Sequence, residues 1–314
     1  MVDVAFNAGA DAIKFQTYIT DDIILSNTPK AEYQLNSTNS EENFYEMLKK
    51  YELSKQDFEI LDKYCQKKGI IFLSTPFDFN SVDILENLNI PAYKISSGDL
   101  DNFPLLKYIC YKKKPILLST GMATLKEVEV SVKYIKSNGV NDLVILQCTS
   151  NYPTLYSELN LNVIDTYKKF FPEDIIGFSD HSIDFIASIG AVAKGAKVIE
   201  KHFTLDKNMI GPDHKASLNP DELNNWIKSI RIIDSALGSY EKIPSNVELE
   251  IAKVAKKSIV TIKALKKGDF LKEGDIFLKR PGLGIAPKYY EAIIGKKIKK
   301  DIPKDSIIKW DDLE

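Results

Sequence analysis

Short apolar runs rich in β-branched residues, each near the length of an average strand and bounded by turn formers, recur at 12–17, 70–75, 92–96, 115–120, 143–148, 175–179 and 198–203. Amphipathic stretches at 54–68, 81–88, 125–137, 161–171 and 183–194 separate most of them. Gly69, Gly139 and Gly195 follow three of these stretches at the place where a helix commonly stops. Strand and helix in alternation predict a parallel sheet. An open doubly wound sheet and a closed barrel both satisfy that order. No glycine-rich phosphate loop follows the first strand, however, and polar residues gather where strands end: Lys14 and Gln16, Ser74 and Thr75, Lys94 and Ser97, Ser119 and Thr120, Thr149 and Ser150, Ser179 and His181, Glu200 and His202. Such crowding marks the C-terminal mouth of a (β/α)8 TIM barrel, the fold class the pattern predicts.

Only seven strands are counted where such a barrel has eight, and residues 1–9 read as the end of a helix stopped by Gly9. The first strand is therefore expected to be lacking and the first βα unit incomplete, as in a reading frame started late. Beyond 203 the period changes. A helix is predicted over 220–236, followed by a connection and by short strands and turns rich in lysine, which divides the chain into a barrel at 1–238, a linker at 239–254 and a small domain at 255–314. No internal repeat is expected in this tail. The stretch 19–45 is long for a connection and is expected to bear on substrate choice.

Composition narrows the class. With 314 residues, 44% hydrophobic and 27% charged, the chain matches ordinary globular usage and is neither disordered nor a disulfide scaffold. The net charge of −2 provides no field for gripping a phosphate backbone, so nucleic acid is not expected as a partner. No membrane partner is expected either, because no run approaches the apolar length of a span and the start lacks a signal pattern; the expected location is cytoplasmic. Cys65, Cys110 and Cys148 are widely spaced and read as buried free thiols. Charge is uneven, since residues 253–304 hold 15 basic and 5 acidic side chains. That excess suits either a solvated lysine-rich surface or a basic cap over an anionic substrate.

The candidate chemistry lies at the strand ends. His181 and His202 end consecutive strands, so their imidazoles are neighbours able to share one divalent cation while leaving positions for water and substrate oxygen; structural histidines at a barrel rim are the alternative. Period-two alternation puts Glu200 on the side of His202 and Ser179 on the side of His181. Lys14 and Lys94 point inward by the same rule, Lys14 beside Gln16 and Lys94 toward Ser97. Each serves as a Schiff-base nucleophile, a fixed positive charge for an anion, or a structural ion pair. Ser97, Ser119 and Ser179 add hydroxyl donors that favour anion binding. Asp213, in the loop Gly211-Pro212-Asp213-His214, is a weaker candidate for contacting sugar hydroxyls.

In sequence order, these residues resemble the sialic acid synthase family, which includes N-acetylneuraminate, legionaminate and pseudaminate synthases. The resemblance runs over essentially the whole chain, through Lys14-Phe15-Gln16-Thr17, Ser74-Thr75-Pro76-Phe77-Asp78, Lys94-Ile95-Ser96-Ser97-Gly98-Asp99 and Leu118-Ser119-Thr120-Gly121-Met122. It continues in Gln147-Cys148-Thr149-Ser150, Tyr152-Pro153, Gly177-Phe178-Ser179-Asp180-His181, Glu200-Lys201-His202-Phe203-Thr204, Gly211-Pro212-Asp213 and Lys279-Arg280-Pro281-Gly282.

The resemblance implies a barrel followed by an antifreeze-like (SAF) domain, in a domain-swapped homodimer. It also implies condensation of phosphoenolpyruvate with an N-acylated aminosugar, either N-acetylmannosamine or a 6-deoxy diacetamido hexose, to a nonulosonic acid and phosphate. By the same resemblance Lys14, Lys94 and Glu200 are catalytic, and Lys14, Lys94, Ser97, Ser119, Ser150 and Ser179 hold phosphoenolpyruvate. Gln16, Tyr152 and Asp213 face the sugar, Arg280 reaches its acylamino group from the partner subunit, and His181 and His202 bind Mn²⁺, or alternatively Mg²⁺ or Co²⁺. The family's opening strand, which carries a glutamate and then an Asn-His pair, has no counterpart in this sequence. Ser150 stands where some members have asparagine, and Asp99 where many have glutamate. A Schiff-base aldolase and a catalytically incomplete fragment that only binds or dimerises are the rival readings.

Overall fold

A computed structural model describes residues 1–30, 38 and 42–314. Seven parallel strands run in chain order: β1 Ala12–Thr17, β2 Ile71–Pro76, β3 Tyr93–Ile95, β4 Ile116–Ser119, β5 Leu143–Cys148, β6 Ile175–Asp180 and β7 Val198–Lys201. β1 pairs with β2, and β3 to β7 form one sheet in sequential order, with β2 adjacent to β3. Among the described residues no ladder joins β7 to β1.

Helices intervene where the pattern placed them, at Lys55–Lys68, Phe79–Asn87, Leu125–Ser137, Val163–Phe170 and Ile186–Ala193. Local chemistry sets their limits. Ser54 and Asp57 form a capping box at the start of the first, and Gly69 ends it at φ 79°, a left-handed geometry that a Cβ would strain. Thr124 with Glu127, and Asn219 with Glu222, do the same for Leu125–Ser137 and Pro220–Leu237. Among the described residues before Gly238, the helices Thr20–Ile23, Phe44–Tyr51 and Phe103–Cys110 went unanticipated. Residues 31–37 and 39–41, the middle of the stretch expected to bear on substrate choice, lie outside the described residues.

The outward faces of the strands and the inward faces of the helices make the barrel core, in which Phe58, Tyr93, Leu106, Leu118, Ile145 and Phe178 are fully buried. Burying each such side chain contributes about 1.5–3 kcal/mol. Cys65, Cys110 and Cys148 are buried free thiols, and burial pushes Cys65 and Cys110 up to about 11. No helix among the described residues is long and apolar enough to cross a membrane.

The chain divides into compact units at Met1–Gly238 and Ser239–Glu314. In the second, β8 Ser258–Thr261 pairs antiparallel with β9 Ile276–Lys279 over a core of Ile259, Leu265, Leu271, Ile276, Ile298, Ile302 and Ile308. Within the stretch read as a linker, Asn246–Ala255 is helical. The tail does contain an internal repeat, contrary to the expectation from its sequence. Leu265 and Ile302 exchange reciprocal backbone bonds of 2.8 and 2.9 Å, and the bonds around them recur at that same offset. Gly268 N to Ile298 O matches Asp305 N to Thr261 O, and Ile262 N to Asp275 O matches Lys299 N to Asp312 O. The ion pairs Lys263–Asp275 and Lys300–Asp312, both 2.7 Å, are equivalents as well. What repeats is backbone geometry, a few buried apolar positions and two capping aspartates. The exposed positions are free to differ, which hides the repeat in the sequence.

Candidate active site

Period-two alternation carries Lys14 and Gln16 of β1 and Glu200 of β7 to the same side of the strands, and the chain beyond β7 adds His202 and Asp213. All five line one cavity of about 420 Å³ together with Tyr18, Tyr51 and Trp226. Lys14 Nζ lies 3.7 Å from Glu200 Oε2 and Lys94 Nζ 3.6 Å from Glu200 Oε1. Lys94 is 3% exposed, donates to Ser119 Oγ at 2.5 Å and to Ile95 O at 3.2 Å, and faces Ser119 rather than Ser97. Ser179 Oγ donates to Glu200 Oε1 at 2.8 Å. Burial opposes ionisation of Glu200, but Lys14, Lys94 and the Ser179 hydroxyl outweigh it and hold the carboxyl far below the usual range. Burial likewise lowers the Lys94 pKa, against the pull of Glu200.

The two imidazoles are together. Their ring centroids are 5.5 Å apart, and the Tyr152 ring lies 4.3 Å from His181 and 5.6 Å from His202. His181 Nδ1 lies 2.8 Å from Thr149 O, a contact that assigns the proton to Nδ1 and leaves Nε2 a lone pair, 3.4 Å from Ser179 Oγ. Burial lowers the pKa of both rings. For His202, burial followed by the neighbouring His181 and Lys14 takes it down to about 3. Two neutral imidazoles suit a divalent transition-metal ion. Among the described residues no group of three or more His, Cys, Asp or Glu converges as a metal cage, and the two imidazoles are the neighbouring pair that could hold an ion. Asp213 Oδ2 stands 4.0 Å from His202 Nδ1, and burial raises its pKa.

A second cluster forms around Gly121. Its N–H donates to Ser97 Oγ at 2.9 Å, and Ser97 Oγ lies 3.2 Å from Cys148 Sγ. A Cβ at Gly121 would collide with Ser150 Oγ and come within 2.9 Å of Ser97 Oγ, so both predicted serines flank one glycine. Arg280 belongs to the second unit.

Sequence reasoning quoted Gly121, Cys148 and Thr149 within motifs but gave them no site role, and it missed the wall made by Tyr18 and Tyr51. Gly121 had a signal, since it follows the strand-end pair Ser119-Thr120 directly; the tyrosines had none. Chemically, two ammonium groups, several hydroxyls and a backbone N–H can hold an anion, while two neutral imidazoles beside them can hold a cation.

The NeuB family model matches residues 1–242, and the SAF domain model matches 256–314. The chain is 41% identical over 318 residues to the N,N'-diacetyllegionaminic acid synthase of Legionella pneumophila, covering 100% of this chain and 89% of that protein. It is 42% identical over 311 residues to the enzyme of the same name from Campylobacter jejuni, covering 98% and 93%. The crystal structure of N-acetylneuraminic acid synthetase from Leptospira borgpetersenii, in complex with citrate, superposes with a TM-score of 0.70 at 33% identity, covering 80% of this chain and 82% of that one. The architecture is thus a TIM-barrel-like fold with a C-terminal SAF domain.

Proposed function

We propose, for a chain that belongs to the NeuB family of sialic acid synthases, the condensation of phosphoenolpyruvate with an N-acylated aminosugar to give a nonulosonic acid and phosphate. The observation that carries this reading is the convergence of Lys14, Lys94 and Ser179 on Glu200, with Ser119 on the Lys94 ammonium, beside the His181–His202 pair. An anion and a polarisable carbonyl oxygen can then be held side by side, with Lys14, Glu200 and His202 of that set lining the cavity.

In the reaction, C3 of phosphoenolpyruvate attacks the aldehyde carbon of the open-chain sugar, water adds at C2, and C–O cleavage releases phosphate. Lys14, Lys94, Ser97, Ser119, Ser150 and Ser179 hold the phosphate and carboxylate, and the lysines neutralise charge on a group that stays bound until the last step. Gln16, Tyr152 and Asp213 face the sugar. A divalent ion on His181 and His202, Mn²⁺ in first place, supplies Lewis-acid polarisation of the aldehyde oxygen when bound.

A homodimer belongs to the same reading, with Arg280 of one subunit serving the other's mouth. It is supported by the helix Asn246–Ala255, which exposes Val247, Ile251 and Val254 by 70, 57 and 70% along one face.

The test is phosphate release from phosphoenolpyruvate with Mn²⁺ and a panel of N-acetylmannosamine and 6-deoxy diacetamido hexoses. Sugar-dependent release that chelation abolishes and Mn²⁺ restores is expected. No release with any sugar, while phosphoenolpyruvate still binds, favours the incomplete fragment. The lowered pKa of Lys94 favours one rival chemistry, the Schiff-base aldolase, which borohydride trapping of a pyruvate adduct would reveal.

A further inference from the structure

We infer that the buried ion pair Asp180–Lys201 is a positioning device for the two imidazoles, setting the spacing at which they share one cation; this rests on reading His181 and His202 as ligands. Both side chains are wholly excluded from water, with Lys201 Nζ 3.2 Å from Asp180 Oδ1. By alternation they lie on the face of β6 and β7 opposite Ser179 and Glu200, each directly preceding a histidine in the chain, while Lys201 also borders the cavity.

Their placement is what matters. The β6–β7 register ends with Asp180 opposite Lys201, so His181 and His202 stand just past the last ladder pair. Beyond that pair each histidine carbonyl turns to a different segment, His181 O accepting from Thr154 N at 2.8 Å and His202 O from Leu218 N at 2.9 Å. What links the two histidine segments to each other past the ladder is the Lys201 ammonium, donating to the Ser182 carbonyl at 2.7 Å and the Asp180 carbonyl at 3.4 Å, one on either side of His181. A single cation therefore ties the backbone that brackets one imidazole to the residue that carries the next. Asp180 completes the clamp: its Oδ1 accepts from Ser182 N at 2.9 Å and Ser182 Oγ at 2.6 Å, and its Oδ2 from Ser188 Oγ at 2.5 Å.

Stability alone does not account for such a pair. Desolvating two charges costs about as much as their attraction returns, and a well-packed apolar pair of similar volume commonly serves a fold equally well. A role in geometry does account for it, since groups that orient metal-binding histidines typically change affinity when removed.

The experiment measures Mn²⁺ binding to the full chain, from the electron paramagnetic resonance signal of the free ion, for the parent, Lys201→Met, and the double variant Asp180→Leu with Lys201→Met. Thermal melts run in parallel. Both variants are expected to bind Mn²⁺ about ten- to a hundredfold more weakly. The double variant is expected to keep the parent's melting midpoint, which separates positioning from stability. Parent-like Mn²⁺ affinity in a folded variant overturns the inference. A second readout needs no metal: nitrogen NMR of His181 should show a single Nδ1–H tautomer in the parent and a mixture in the variants, and an unchanged tautomer also overturns it. If the parent itself binds no Mn²⁺, the ligand reading fails, and the tautomer alone then decides whether the clamp orients the ring.

Discussion

Lys94 and Lys14 share the carboxylate of Glu200, yet their surroundings differ, and so should the consequences of losing them. The Lys94 ammonium is buried and held by Ser119 and Ile95 as well, whereas the Lys14 side chain is 22% exposed. Lys94→Met is therefore expected to raise KM for phosphoenolpyruvate by about thirtyfold or more, roughly 2 kcal/mol, with KM for the sugar unchanged. An equal rise for both substrates would contradict its placement on the anion. Glu200→Gln should do the opposite to binding. It removes the carboxylate that competes for the two ammonium groups, so phosphoenolpyruvate affinity should hold or rise while turnover falls, as calorimetry and steady-state rates would register. Gly121→Ala tests the second cluster: the added methyl meets Ser150 and Ser97, and about tenfold weaker phosphoenolpyruvate binding is expected with the melting midpoint kept. Lys14, Gln16, Glu200 and His202 were legible from sequence because period two assigns a face once a strand's bounds are known. The partners of Ser97 and His181 were not, since Cys148 and Thr149 reach them from distant parts of the chain.

Elements were legible where one face is apolar and a cap marks the start. Leu125–Ser137 has both, with Thr124 and Glu127 at its head. Phe103–Cys110 has an Asn102 cap but buries Leu105, Leu106, Ile109 and Cys110 within eight residues, so it carries little polar face to reveal a period. In the second unit, the repeated Asp275 and Asp312 loops make a prediction about acid. Burial opposes ionisation of both carboxyls, each side chain being 6% exposed, but Lys263 and the Lys272 N–H, and Lys300 and the Lys309 N–H, hold their pKa values below the usual range. A carboxyl with a depressed folded pKa binds fewer protons folded than unfolded. Its stabilisation is therefore complete above the unfolded value of about 3.9 and is lost as pH falls through the folded one. In a Trp226→Phe background, Trp310 fluorescence should report a melting midpoint that falls between pH 5 and 3. The fall should be smaller when Asp275→Asn and Asp312→Asn are combined, and identical slopes would assign the acid sensitivity elsewhere.

At the scale of the whole molecule, the proposed dimer would give the uneven charge and the Arg280 segment a use, with one chain's second unit serving a neighbour's barrel. Symmetry makes that arrangement testable without a structure of the assembly. In a two-fold dimer each mouth would draw Lys94 from its own chain and Arg280 from the partner. Assayed at phosphoenolpyruvate well below KM, where a roughly thirtyfold KM leaves Lys94→Met only a few per cent of the parent rate, Lys94→Met and Arg280→Ala chains should then each be nearly inactive alone. When the two are unfolded, mixed in equal amounts and refolded, half of the dimers are mixed. One mouth in each mixed dimer combines an intact Lys94 with an intact Arg280, so about a quarter of the parent activity should return. If Arg280 instead serves its own barrel, every mouth in the mixture lacks one of the two side chains and nothing returns. The same mixing experiment with Val247→Lys and Ile251→Lys in both chains should also return nothing if the exposed face of Asn246–Ala255 holds the pair together, and light scattering should then report the 35.5 kDa chain rather than twice that mass.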